Sequence, residues 1–131
     1  MLTKIKFTTL KRNELINITS KVEKIVSDSK IKAGECIVYC PHTTAGIIVN
    51  ENSDPDVASD LLRALEKMVP NIDFNHAEGN SDAHLKSTLV GCEKHFIIEN
   101  GLLILGTWQS VFFLEADGPR ERKVYVKIMS D

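Results

Sequence analysis

Three of the four histidines in this chain stand where a binding site would need them. His76 and His84 lie in the polar stretch NHAEGNSDAHLKSTLVG, residues 75–91, beside Glu78 and Asp82. His42 lies in PHTT, just after an apolar run. Neutral imidazole is the commonest metal-ligand side chain, and zinc takes three or four nitrogen, oxygen or sulfur ligands. His76 and His84 are not at the i, i+4 spacing that puts two ligands on one helical face. A loop carrying His76 that folds back on a helix carrying His84 would bring them together. His42 is then the third candidate ligand, with water or substrate completing the shell. From spacing alone, ordinary surface and capping roles stand beside this reading.

Other residues suggest what such a site would act on. Glu51 ends a second apolar run and has no evident capping duty, so it joins His42 and His84 as a candidate catalytic group, in the role of a base. Arg120 follows the Gly118-Pro119 turn in EADGPRERK, and its planar fork suits phosphate or carboxylate. Lys86, two residues after His84, is a candidate phosphate contact. The competing reading of the basic run is a solvated hairpin. Gln109 sits in the apolar run GTWQSVFF; a buried amide there requires partners, so it anchors a loop or faces a pocket. His95 alternates with Ile97 and reads as structural. No GxSxG, P-loop or GxGxxG is present, and no cysteine has an activating signature.

These residues must be held by a mixed set of elements. KIKFTTL alternates at period two and predicts a strand, with ELINI as its return. TSKVEKIVSDSKI has helical spacing, with Thr19 as N-cap. GECIVYC and AGIIVNE predict strands, and the short PHTT between them predicts an antiparallel hairpin. NSDPDVASDLLRALEKMVP is a helix opened by Ser53 or Asp54 and Pro55, with Val57, Leu61, Leu65 and Met68 as its buried stripe. A short helix from Ser81 or Asp82, seated by Leu85 and Leu89, ends at Gly91. The remainder predicts strands with turns at ENG and ADGP, and with Trp108 and Phe112 in the core. Strands joined by hairpins beside a few helices indicate an antiparallel α+β fold.

Totals narrow the classes. The chain has 131 residues and predicts one domain, 1–131. Its net charge of -2 gives no reason to expect nucleic-acid binding. Cys36, Cys40 and Cys92 are an odd set without CxxC, against a disulfide framework or zinc ribbon. MLTKIKFTTLKRN is no signal peptide, and no run is long enough for a membrane span. The expected setting is the cytoplasm, away from membranes.

Four segments together resemble the YjbQ-like family of small proteins: HTTAGIIVNEN with DPDV, then HAEGNSDAHLKSTLVG, LLILGTWQSVFF and EADGPRER. They cover nearly the whole chain. The resemblance implies a two-layer antiparallel β-sandwich with flanking helices, assembled as a homotrimer. It also implies a cleft holding the histidines and a bound metal or anion. Carried over by residue, the site is His42, His76, His84, Gln109 and Arg120. Ala116 stands where the family pattern has an aromatic residue before DGPR. The implied activity is a secondary thiamine-phosphate synthase, joining a pyrimidine diphosphate to a thiazole phosphate with release of pyrophosphate. Such chemistry requires a divalent cation. Magnesium prefers oxygen ligands, whereas three histidines suit zinc or another transition metal. Two alternatives remain open at this point: a metal-dependent hydrolase with Glu51 or Glu78 as base, and a non-catalytic metal- or anion-binding protein.

Overall fold

A computed structural model describes residues 1–131. Eight strands and three helices follow in order: β1 (Leu2–Thr8), β2 (Glu14–Asn17), α1 (Thr19–Ser29), β3 (Gly34–Tyr39), β4 (Ala45–Glu51), α2 (Pro55–Met68), α3 (Ser81–Val90), β5 (Glu93–Glu99), β6 (Leu102–Leu103), β7 (Gln109–Glu115) and β8 (Glu121–Ser130). They form a five-stranded sheet, β1-β8-β3-β5-β6, and a three-stranded sheet, β2-β7-β4. Every pairing is antiparallel. The architecture is α+β, two antiparallel layers with helices at their flanks.

The period-two pattern explains the larger sheet. Ile5, Cys36, Val38, Phe96, Val124, Val126 and Ile128 point inward, while the alternating lysines, glutamates and tyrosines point out. Ile47, Val111 and Phe113 of the smaller sheet and Ile18, Val22 and Val26 near α1 complete the same core. Asn100 and Gly101, with φ of 53° and 76°, make the two-residue turn between β5 and β6. A tight hairpin needs positive φ at both central positions, which Asn-Gly supplies.

Three predicted hairpins are sheet crossings instead; the first leads from β1, which pairs with β8, to β2, which pairs with β7. β3 pairs with β5 and β8, and β4 pairs with β7, so PHTT carries the chain from one sheet to the other. Long-range bonds fix both ends: Cys40 N–H donates to Cys92 O at 2.7 Å, and Ala116 N–H to Thr44 O at 3.2 Å. The segment around Gly118-Pro119 crosses back, from β7 to β8, and makes no hairpin.

The helices also differ in detail from their patterns. Thr19 is the first residue of α1 and not its cap; its hydroxyl accepts from Val111 N–H at 2.7 Å, while Asn17 Oδ1 accepts from Thr19 N–H. Asp54 caps α2 by accepting from Asp56 N–H at 2.9 Å. The α2 stripe is only half covered, and Met68 is exposed. α3 rests on Ala83 and Lys86, with Leu85 half-buried and Leu89 exposed. It lies close over β4, where Ser87 donates to Ala45 O at 2.7 Å. A Cβ on Gly46 would stand 2.6 Å from Gly91 O, so only glycine permits that approach. Trp108, predicted in the core, is 65% exposed on the loop before β7.

One ion pair lies inside the core. Arg122 Nε and Nη2 donate to the two oxygens of Glu115 at 2.8 and 2.5 Å, and both residues are buried. Thr9 Oγ1 donates to the same carboxylate at 2.7 Å and Asp117 N–H at 3.1 Å. Burial alone would raise the Glu115 carboxyl; the Arg122, Thr9 and Asp117 donors outweigh it and hold it below the ordinary carboxylate value. Removing one partner of such a pair costs about 3–5 kcal/mol, because the other charge stays buried. Urea unfolding of Glu115→Gln is expected to show a loss of that order, and Glu115→Leu with Arg122→Met to recover most of it. Because the folded value is depressed, the carboxylate's contribution is complete above its unfolded value, 4.5. It is lost as pH falls from there through the folded value. A Glu115→Gln variant as stable as wild type would contradict this assignment.

Candidate functional site

His42, His76 and His84 line one open cleft of about 450 Å³. Three segments build it. His42 comes from the crossing between β3 and β4, His84 from the first turn of α3, and His76 from the exposed loop before α3. The His76 and His84 rings meet edge to face, with centroids 5.4 Å apart. His76 Nδ1 lies 3.4 Å from the Ser81 hydroxyl, and His76 Nε2 lies 3.8 Å from a Glu78 carboxylate oxygen. The loop therefore folds back onto the helix and brings two imidazoles into contact.

His42 is held by the backbone of β8. Its Nε2 lies 3.0 Å from Lys123 N and 3.1 Å from Lys123 O. The ring has two neutral arrangements there. With the proton on Nε2 it donates to Lys123 O and leaves Nδ1 as an open acceptor. With the proton on Nδ1, Nε2 accepts from Lys123 N–H and Nδ1 becomes a donor. The first presents a metal ligand whose other nitrogen is fixed by a backbone carbonyl. The second presents an N–H to an anion. Burial, and then the nearby Arg122 cation, hold the His42 pKa below its ordinary 6.5.

The opposite wall is polar and mostly satisfied. Asn80 Nδ2 donates to Asp117 Oδ2 at 2.9 Å. Arg120 donates through Nε to Asp117 O and through Nη2 to Asp117 Oδ2, both at 2.7 Å. Burial would raise the Asp117 carboxyl, but the Asn80 donor and the Arg120 and Arg12 cations bring it below the ordinary value. The Asn80 amide orientation is fixed by that donation. Its Oδ1 is then the one buried side-chain polar atom in the chain without a hydrogen-bond partner. An unmet buried acceptor costs about 1–3 kcal/mol and calls for a ligand, ion or water to meet it.

Several predicted site residues stand elsewhere. Lys86 is buried under α3, where its ammonium pairs with Glu66 and donates to Asn13 Oδ1 at 3.0 Å. It does not line the cleft as a phosphate contact, because the helix turns it to the core side. Glu51 and Gln109 are cross-strand partners at the far ends of β4 and β7, in a separate cleft with Trp108 and Ser53. That end of β4 is roughly 20 Å from Ala45, so neither reaches the histidines within one chain. Gln109 is exposed, and its Oε1 accepts from Gly106 N–H at 2.7 Å; it anchors its own loop. His95 is on the exposed sheet face, 3.1 Å from Glu35. Arg122 is buried and neutralised by Glu115, so the basic run is not a solvated hairpin. Cys36 and Cys40 are buried, and burial pushes both thiols up to about 11, which keeps them protonated at neutral pH.

Asn80 and Asp117 in the cleft wall, and the Glu115–Arg122 pair behind it, are what the sequence reading missed. A lone glutamate at the end of VFFLEA was the available signal, since a buried carboxylate demands a cationic partner. For a metal, the donor types fit: three imidazoles with Glu78 suit a borderline transition metal. No three of the His, Cys, Asp or Glu side chains stand at ligand spacing about one point. His76 and Glu78 lie on exposed residues, so closure there disturbs no core packing.

The model of the UPF0047 protein YjbQ-like family matches residues 3–131. The chain belongs to the YjbQ-like family. It is 52% identical over 132 aligned residues to a UPF0047 protein of Methanocaldococcus jannaschii, covering 100% of this chain and 96% of that one. It is 50% identical to YugU of Bacillus subtilis, covering 98% and 99%. Among solved structures, an uncharacterised YjbQ-family protein of Clostridium acetobutylicum superimposes with TM-score 0.94 at 50% identity, over 97% of this chain and 99% of that one. A protein of unknown function from Sulfolobus solfataricus does so with TM-score 0.95 at 36% identity, over 100% and 97%. The fold and family resemblance seen in the four motifs therefore hold over the whole chain.

The His42 geometry gives a direct measurement. In an NMR titration of the histidines, His42 is expected to protonate below 6.5. The unfolded chain binds that proton first, so stability falls as pH drops below 6.5 and this contribution is complete above it. A His42 midpoint at or above its ordinary value would contradict the burial argument.

Proposed function

We propose that the chain is an enzyme acting on a phosphorylated small molecule at the histidine cleft, of the secondary thiamine-phosphate synthase type. The observation that carries this reading is the unmet Asn80 Oδ1, buried at a cleft lined by three imidazoles and the Arg120 guanidinium. Bound ligand or ion would supply the missing partner. Arg120 keeps Nη1 free of Asp117 and can reach a phosphate oxygen. In the synthase reaction the bond to the diphosphate breaks, pyrophosphate leaves with the electron pair, and the thiazole nitrogen takes its place on the pyrimidine methylene. His84 and His76, with His42 through Nδ1, would hold a divalent transition metal. Such a cation supplies charge neutralisation for the leaving group. Glu78, beside His76, favours a second reading as a hydrolase, in which it takes the proton of an attacking water.

The partner in this reading is a small phosphorylated substrate, and the assembly is a homotrimer. Two uncovered apolar surfaces support assembly: Ile97, Leu102 and Ile104 along β5 and β6, and the half-covered stripe of α2. Joining unlike patches head to tail, with a rotation that closes after three copies, gives a ring that leaves neither exposed. Such a ring also offers Glu51 and Gln109 a route to a neighbour's histidine cleft. No helix is long and apolar enough to cross a membrane. The free thiols Cys36, Cys40 and Cys92 suit the reducing cytoplasm.

His84→Ala is expected to remove both stoichiometric metal, by elemental analysis, and thiamine-phosphate formation, with the thermal midpoint held. Stoichiometric metal in wild type without turnover of any phosphorylated substrate would replace the enzyme by a binding protein. Light scattering is expected to give three times the 14.6 kDa chain mass. A monomer at micromolar concentration would refute the ring.

A further inference from the structure

The outward face of the five-stranded sheet carries an arrangement that folding alone does not favour. Lys6 of β1 stands directly opposite Lys123 of β8 in register. Like charges so placed destabilise an antiparallel pair. None of the nine ion pairs of the chain involves either lysine. Lys4 and Lys123 instead place their ammonium groups over the Tyr125 ring, at 5.8 and 5.7 Å from its centroid. The positive charge is thus shared with a π face and left without a carboxylate.

Lys6 and Lys123 line an open cleft of about 570 Å³ together with Thr8, Glu121, Arg122 and His42. Arg122 is already neutralised by Glu115. Glu121 is the one carboxylate on the rim, and it pairs with neither lysine. His42 belongs to this cleft and to the histidine cleft, and its Nε2 is bonded to the backbone of Lys123 itself. The residue that carries one ammonium group therefore also sets the imidazole between the two clefts.

We propose that the Lys6–Lys123 cleft binds a phosphoryl group, so that a ligand anchored there reaches past His42 toward the histidine cleft. This deepens the phosphorylated-substrate reading and rests on it for the ligand's identity. A phosphoryl group suits the site better than a carboxylate. Two ammonium groups and the Thr8 hydroxyl offer more donors than two oxygens can accept, and a tetrahedral dianion meets both charges at once. With Nε2 accepting from Lys123 N–H, His42 adds an Nδ1–H donor at the boundary.

Calorimetric titration of the metal-free, full-length protein with inorganic pyrophosphate tests this. Lys6→Ala and Lys123→Ala are each expected to weaken binding at least about tenfold, the loss of a charge-assisted contact. Lys127→Ala, on the same sheet face but outside the cleft, is expected to bind as wild type. Wild type that does not bind pyrophosphate, or a Lys127→Ala loss equal to that of Lys6→Ala, overturns the site. So does a change of assembly mass in the Lys6 and Lys123 variants, which would make the pair a subunit contact. Pyrophosphate binding that depends on both lysines, in a protein that forms no thiamine phosphate, would keep the anion site and remove the synthase reading. Unchanged turnover and KM in Lys6→Ala would do the reverse.

Discussion

A carboxylate at the end of β7 and a guanidinium at the start of β8 meet inside the core, and the cleft is arranged around them. Glu115 accepts from Arg122, from the Thr9 hydroxyl and from Asp117 N–H, which accounts for its oxygens in a place water does not reach. Arg122 uses its remaining reach on Thr44, at 2.8 Å to the hydroxyl. Two of the points where the chain changes sheets are thereby tied to one pair: Thr44 at the crossing into β4, Asp117 at the crossing out of β7. An apolar pair would fill the volume but bind neither crossing. The desolvation penalty of two buried charges is met because both Glu115 oxygens are fully bonded and Arg122 divides its Nε and Nη2 donors between Glu115 and Thr44.

From that anchor the site grows outward with decreasing constraint. Thr44 lies two residues from His42, whose ring is fixed by Lys123 of the neighbouring strand. Asp117 holds Arg120 and Asn80, and Asn80 opens α3, which carries His84. His76 and Glu78 are the outer members, on exposed loop residues. A site built this way keeps its first imidazole and its amide rigid and leaves the outer donors free to close over what binds. The unmet Asn80 Oδ1 lies on the rigid side, so relaxation of the loop does not explain it away.

The strands were legible because their alternation is local, and the family motifs were legible because four of them occur in order. The sheet assignments were not. PHTT is short enough for a hairpin, but its flanking strands find better partners far away in sequence, Cys40 with Cys92 and Thr44 with Ala116. Lys86 could have been placed correctly from helix geometry alone. Two residues on a helix turn through about 200°, so a lysine at that offset from His84 faces away from the cleft. Glu51 and Gln109 share a site signature in type but sit at the wrong ends of their strands, which only the register reveals. The Glu115–Arg122 pair was hidden because each residue, read singly, looked like part of a solvated turn.

His42 connects these levels. Its backbone partner, Lys123, supplies both a donor and an acceptor within about 0.1 Å of the same distance, 3.0 and 3.1 Å, so the strand itself selects neither tautomer. What binds must choose. A metal on the histidine side requires the proton on Nε2, whereas a phosphoryl group on the lysine side favours it on Nδ1. The two ligands thus compete for one ring if both are to use Nδ1. They are compatible only if the metal takes His76 and His84 and leaves His42 to the anion. Burial, and then the Arg122 cation, hold its proton affinity down, which favours the neutral forms between which this choice is made. On the proposed reading the division of labour is then His42 as the hinge between anion and cleft, with His76 and His84 as the pair that a metal would need most.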